Sequence, residues 1–291
     1  MKFCITIDVE PDCRPDWVYS NPLEFRGIIE GIAGRLEPLF MRLGVKPTYM
    51  VSNVVLDDAR SSDILAGLKS GAELGSHLHP EFIEPERIYS DYAGRRGLAN
   101  CCFLPPDLQR AKLGNITSMF ERRFGRRPVS FRAGRFSAGP DTFAALAELG
   151  YKVDTSVTPH INWKDPTHEH PVDFTDAPEQ PYFIGGLLEV PVSIGLIRRF
   201  FRSHTVWLRP VYATPSRMRL LVDSFAEKYG SGAVMNMMFH NVEVLPNLSP
   251  YTSSEAECSR YLRDLEDTLK YLLKSGFESA TLSEVYGSRK R

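Results

Sequence analysis

The chain has 291 residues, 43% apolar and 24% charged, with 35 basic against 36 acidic side chains and a net charge of −1. That balance suits a globular domain with a large core and gives no electrostatic ground for a nucleic-acid partner. The longest apolar stretch, residues 185–196, is too short for a membrane span and carries Glu189. With a strand-like run starting at Lys2 and no leader before it, a cytoplasmic protein is expected.

Strand-like and helical runs alternate along the chain. Residues 3–7 read as a buried strand. Residues 24–43 read as a helix, with Ile28, Ile32, Leu36, Leu39 and Leu43 on one stripe and Gly44 as its stop. A strand at 47–51, a helix at 58–69 and a short strand after Gly75 follow. Residues 80–107, rich in charge and proline, read as an irregular excursion. Next come a helix at 108–124, a strand at 129–131, a helix at 140–149 and a strand at 151–154. After a long loop at 158–182, strands are expected at 187–192, 233–239 and 277–282, with helices at 215–229 and 253–274. Repeated strand–helix alternation without a Gly-rich phosphate loop predicts an α/β fold with parallel strands in a single domain, residues 1–291. Polar residues at the C-terminal ends of several strands favour a barrel, because those ends converge on one face.

The five cysteines, Cys4, Cys13, Cys101, Cys102 and Cys258, are odd in number and contain no Cys-x-x-Cys, which predicts reduced thiols. Cys4 lies in the first strand and is expected in the core.

Five segments carry chemistry. Asp8 and Glu10 are two residues apart, so an extended backbone puts both carboxylates on one side. Such a pair is costly without a cation or a proton between them. His77 and His79 share the same spacing, and neutral imidazoles are ligands for zinc and similar metals. A second pair, His168 and His170, sits in a Pro-rich loop with no strand leading into it and is read as surface. Arg132 ends a strand and can hold a carboxylate ionised. Asp154 ends another, and His240 closes an apolar strand late in the chain.

In this order and at these intervals, the five segments resemble the NodB-homology polysaccharide deacetylases, carbohydrate esterase family four, over residues 3 to about 243. The likeness is to divergent members such as lipopolysaccharide-cluster deacetylases. It implies a distorted (β/α) barrel and a metal-dependent N-deacetylase acting on an N-acetylated sugar or glycan. It also implies one divalent ion, with zinc expected, on Glu10, His77 and His79. Asp8 would be the base, Arg132 its holder, His240 the acid and Asp154 the group that orients the acid. The sequence departs from the common pattern in having Asp8-Val9-Glu10 in place of adjacent acids, His77-Leu78-His79 in place of a wider His spacing, and no Pro-Tyr after the Arg. Two rival readings are an amidohydrolase-type barrel, which places its His-x-His on the first strand, and a non-catalytic carbohydrate-binding relative. The two long irregular stretches are expected to wall a cleft, with Tyr89, Tyr92 or Trp163 stacking on a sugar ring.

Overall fold

The computed structural model describes residues 1–87, 100–164, 172–199 and 202–289. Alternation along β1 (Lys2–Val9) sets the plan. Phe3, Ile5, Ile7 and Val9 face outward into the apolar layer beneath the helices. Cys4 faces the opposite way, into a smaller inner cluster, and is a core residue as expected.

The remaining strands of the main sheet are β2 (Pro47–Ser52), β3 (Glu73–Leu78), β4 (Ser130–Ala133), β5 (Val153–Asp154), β6 (Tyr182–Ile184) and β7 (Leu187–Glu189). A separate antiparallel hairpin follows, β8 (Ile194–Arg199) and β9 (Arg202–Trp207), and then β10 (Val234–His240) and β11 (Glu278–Ser279) rejoin the sheet. The order is β10-β1-β2-β3-β4-β5-β7-β6, with β11 on β1, and every pairing is parallel except β6 with β7.

The sheet curls until its two ends meet. There, a main-chain hydrogen bond and side-chain contacts replace a strand ladder. Ser193 N donates to Asn236 O at 2.9 Å, Asn236 N donates to Ser193 Oγ at 2.8 Å, and Asn236 Nδ2 reaches Val190 O at 3.2 Å. The expected barrel is thus present in distorted form.

A π-wound helix (Gly27–Leu36) runs directly into α1 (Glu37–Leu43). Asp12 caps its start by accepting from Gly27 N at 2.7 Å and Arg26 N at 2.9 Å. Gly44 ends it in the left-handed region at φ 64°, as its place in the sequence predicts. The outer layer continues with α2 (Asn53–Asp57), α3 (Ala59–Ala66), α4 (Pro106–Phe124), α5 (Pro140–Glu148), α6 (Pro215–Tyr229) and α7 (Glu255–Lys274), while α8 (Leu282–Arg289) packs Leu282 and Val285 into the inner cluster with Cys4.

Four elements differ from the sequence expectation. The strand expected at 187–192 stops early: β7 ends at Glu189 and β8 starts at Ile194, with Pro191 between. The β8–β9 hairpin and the short strand β6 add to the expected list. Residues 277–282 pair only at Glu278 and Ser279, because Thr281 and Glu284 form a capping box that starts α8. No helix among the described residues is long and apolar enough to cross a membrane.

Candidate active site

Four parallel strands bring site residues to one face at their C-terminal ends, and strand parity decides what they present there. Thr6 and Asp8 point inward from β1, and Glu10 follows just past its end. His77 points inward from β3, with His79 one residue beyond the strand. Arg132 enters from β4 and His240 from the end of β10.

Glu10, His77 and His79 place one donor atom each within 4.8 Å of one another. Glu10 Oε1 is 3.2 Å from His77 Nε2 and 3.0 Å from His79 Nε2, and the two Nε2 atoms are 3.1 Å apart. At His77 the far nitrogen fixes the tautomer: Nδ1 lies 3.0 Å from the carbonyl of Arg132, which only accepts, so Nδ1 carries the hydrogen. His79 Nδ1 faces both Glu81 Oε1 and Arg135 Nη1 at 3.5 Å, and Arg135 holds that carboxylate at 2.8 Å. The His77 Nε2 lone pair, His79 Nε2 and a carboxylate oxygen aim at one point, a meeting that a proton or a cation stabilises. Burial opposes charging His79, but Glu10 and then Glu81 outweigh it and lift its pKa to about 9. Burial likewise opposes ionisation of Glu10, and His79 and His77 hold it well below the usual carboxylate value. By donor type and convergence, the set fits a divalent metal.

The supports around this cluster are specific. Tyr19 donates to Glu10 Oε2 at 3.0 Å. The Asn241 amide pairs with the Glu10 main chain, at 2.9 Å to its N–H and 3.1 Å to its carbonyl. A Cβ on Gly134 would sit 2.9 Å from His79 Cε1 and from Leu78 O, so only glycine seats the His79 ring there. The next two residues, Arg135 and Phe136, both have φ of 55°, an uncommon state for side chains of that size. The Arg135–Glu81 ion pair and the stacking of Phe136 on Trp163, 5.9 Å between rings, hold this bend.

Asp8 sits beside the cluster, almost fully buried. Its Oδ1 accepts from Arg132 Nη1 at 2.7 Å, while Oδ2 faces His240 Nε2 at 3.8 Å and His77 Nε2 at 4.0 Å. Burial would raise the Asp8 pKa, but Arg132, then His77 and His240, outweigh it and keep the carboxyl below its ordinary range. Arg132 is itself fully buried and places three further hydrogens on Thr6 Oγ1, Thr155 O and Thr155 Oγ1.

The group on His240 is not the one expected. Asp154 and Thr155 are adjacent on an extended strand and face opposite sides. Thr155 points inward to Arg132 and Asn236. Asp154 therefore points away from the site, where it accepts from Ser156 N and Ser156 Oγ, both at 2.9 Å, and neighbours Glu189. The carboxylate on His240 is Glu243, whose Oε1 lies 2.8 Å from His240 Nδ1. Arg209 pairs with Glu243, and Tyr261 donates to its Oε2 at 3.1 Å. Burial would raise the Glu243 pKa, but Arg209 and His240 hold it down. A sequence signal exists: Glu243 follows His240 by three residues, and a 3₁₀ turn (Asn241–Val244) folds it back.

Trp163 packs on Phe136 and donates to Thr158 Oγ1 at 2.8 Å. Phe136 in turn lies against Arg132, 5.8 Å from guanidinium carbon to ring centre, so Trp163 of the second long stretch stands at this face. So does the start of the first, where Phe82 is 5.1 Å from the Tyr19 ring. Tyr89, Tyr92, His168 and His170 lie outside the described residues.

No protein-family model matches the chain, and no curated protein does. Solved structures do. A putative polysaccharide deacetylase from Mycobacterium smegmatis is 16% identical, with 99% of this chain and 89% of that one covered and a TM-score of 0.56. A GH57-type branching enzyme from Pyrococcus horikoshii is 12% identical over 97% of this chain and 69% of that one, with a TM-score of 0.53. A CE4 family pseudoenzyme from Bacillus anthracis is 12% identical over 98% and 65%, with a TM-score of 0.50. The chain has the barrel fold that these proteins share. A branching enzyme and a pseudoenzyme share it too, so the chemistry must be argued from the site.

Proposed function

We propose that the chain is a metal-dependent hydrolase of the carbohydrate esterase family four type that removes an N-acetyl group from an amino sugar. The observation that carries this reading is the meeting of Glu10, His77 and His79 beside an ion-paired Asp8 and, across from it, His240. A carboxylate with two imidazoles is a zinc-type donor set, and zinc is the ion we assign. Bound there, it would supply Lewis acidity that acidifies a water and polarises an amide carbonyl.

The chain's own groups divide the proton work. Asp8 is held ionised by Arg132, and its free oxygen, Oδ2, is the one that takes a proton from the attacking water. His240 keeps a hydrogen on Nδ1 through Glu243, which leaves Nε2 turned toward Asp8. From Nε2 a protonated His240 would donate to the nitrogen of the departing amine, a poor leaving group otherwise. Glu243, tied down by Arg209 and Tyr261, fixes the ring; we assign it the orienting role in place of Asp154. The first strand of this barrel carries carboxylates and the third carries the His-x-His, opposite to the amidohydrolase arrangement. Retention of Asp8, Arg132 and His240 together argues against a purely binding role.

The test is acetate release from N-acetylated saccharides by wild type and His240→Ala, each with and without a chelator. Release that stops on chelation, recovers with zinc and falls in the variant supports the reading. Release that ignores both the chelator and the variant overturns it.

A further inference from the structure

His79 lies one residue past the end of β3, so no strand ladder fixes it as the ladder on both sides fixes His77. Residues 80–85, which follow it, open with a single 3₁₀ turn (Pro80–Phe82) and contain no strand. Pro80 and Pro85 lack an N–H, and the carbonyls of such a segment need donors from elsewhere. Helix α4 supplies them. Lys112, only 1% exposed, donates from Nζ to Pro80 O at 2.8 Å, to Ile83 O at 2.7 Å and to Pro85 O. Asn115 Nδ2, on the same helix, donates to Glu84 O at 2.7 Å. We infer that Lys112 is a positioning residue for the metal centre: its ammonium is a cation tethered to α4, around which the chain after His79 wraps, and it thereby fixes His79 as a ligand. The inference rests on the metal assignment in the proposed function and deepens it.

Three observations carry it. First, the hydrogen count closes. A carbonyl only accepts, and an ammonium has three hydrogens and no lone pair, so three carbonyls use all of them. A neutral amine would leave one carbonyl without a partner. A buried charge is costly unless it is hydrogen-bonded in full, and this one is.

Second, the cage adjoins the ligand. Pro80 is bonded directly to His79, and Phe82 N donates to His79 O at 3.1 Å. Glu81, carried between two of the caged carbonyls, places Oε1 3.5 Å from His79 Nδ1 and accepts from Arg135 at 2.8 Å. Holding the carbonyls therefore holds the main chain of His79 and the carboxylate behind its ring together. Third, the other walls of His79 stand on their own supports. His79 N donates to Asn53 Oδ1 at 3.2 Å, and Gly134 closes against the ring. The side left to a segment without regular structure is the one that Lys112 clamps.

The test is zinc affinity of the full chain, measured by chelator competition. Lys112→Met keeps the stem and removes the charge and its hydrogens; Lys112→Ala removes the stem as well. Each should bind zinc about 10–100-fold more weakly than wild type, the usual worth of groups behind a metal-bound imidazole, with an unchanged far-UV spectrum. In Lys112→Ala, added propylammonium replaces the missing atoms as a free cation and should recover most of the affinity. Tetramethylammonium at the same concentration has no N–H and should recover none. Leu113→Ala, a core truncation at the next position of α4, should lose stability and keep its zinc affinity. Wild-type affinity in both Lys112 variants overturns the assignment, as does an equal loss in Leu113→Ala or a loss on which the two salts act alike. Acetate release is read separately. Lys112-dependent zinc binding without acetate release by wild type keeps the clamp and rejects the deacetylase reading. A wild type that binds no zinc rejects the metal assignment and the clamp with it.

Discussion

Two pairs of acids sit near strand ends in this barrel and share almost nothing else. Asp8 and Glu10 point inward and meet nitrogen partners: Arg132 for the first, His77 and His79 for the second. Burial opposes ionisation at both, and in both these partners outweigh it, so both carboxyls lie below their ordinary values. Asp154 and Glu189 are cross-strand neighbours, also fully buried, but they face the outer layer. There burial, followed by the repulsion from Asp154, pushes Glu189 well above its ordinary value, and burial raises Asp154 too. Both therefore hold their protons more tightly than exposed acids do. A buried acid becomes a working group only on the side where a cation waits for it, and strand parity chooses the side.

The comparison can be broken most severely at the metal ligands. His77→Ala with His79→Ala should abolish binding of one divalent ion per chain and cost acetate release about 10³-fold or more. Metal analysis of the purified variant checks the first, and full occupancy there contradicts the assignment. Removing Arg132 should make Asp8 resemble an unpaired buried acid. Arg132→Ala is expected to destabilise the fold by about 3–5 kcal/mol in urea titrations, because one partner of a buried ion pair is left alone. His240→Ala should lower turnover by about 10²–10⁴-fold while metal stays bound.

Finer changes sharpen the contrast. Glu243→Gln should reduce turnover roughly tenfold to a hundredfold, the usual worth of a group orienting a working histidine. Asp154→Asn should leave turnover within about twofold, since Asp154 faces away. Equal losses in the two variants would remove the distinction. The smallest effect concerns stability against pH. Glu189 has its pKa raised on folding, so its contribution is fully present below its unfolded value, near 4.5, and is lost as pH rises toward the folded value. Glu189→Gln lacks that loss, so the variant should gain on wild type in urea midpoint between pH 5 and pH 8. An unchanged gap would mean that the carboxyl is ionised throughout.

Much of the site is legible in the sequence itself. The alternation of Phe3, Ile5 and Ile7 with Cys4, Thr6 and Asp8 is a plain two-residue period, and it places Asp8 inward once the apolar side is known. His77 and His79 follow the same rule at β3. The pairing of Arg132 with Asp8 joins residues 124 apart, which spacing alone does not reveal; only the family resemblance points to it. Asp154 defeats the same reasoning because β5 has only two paired residues, too few to show which phase faces inward. Glu243 escapes it because it lies in a turn after its strand, where periodicity stops. Trp17 and Tyr19 lie between β1 and the first helix, and only the folded chain brings them to His240 and Glu10.

Proton release offers an independent view of the metal site. His79 holds a proton up to about pH 9, so an entering ion must displace it. Zinc binding at pH 7.5 should therefore release about one proton, and apparent affinity should rise with pH until about 9. Calorimetry in buffers of different ionisation enthalpy measures this, and release of none would place the ion elsewhere.

The central claim is that Glu10, His77 and His79 hold one ion. Anomalous scattering at the zinc edge from a crystal of the zinc-treated protein tests it most directly. The account predicts a single peak about 2.0–2.2 Å from a Glu10 carboxylate oxygen, His77 Nε2 and His79 Nε2. A peak at His168 and His170 instead, or none between the three residues, would contradict it.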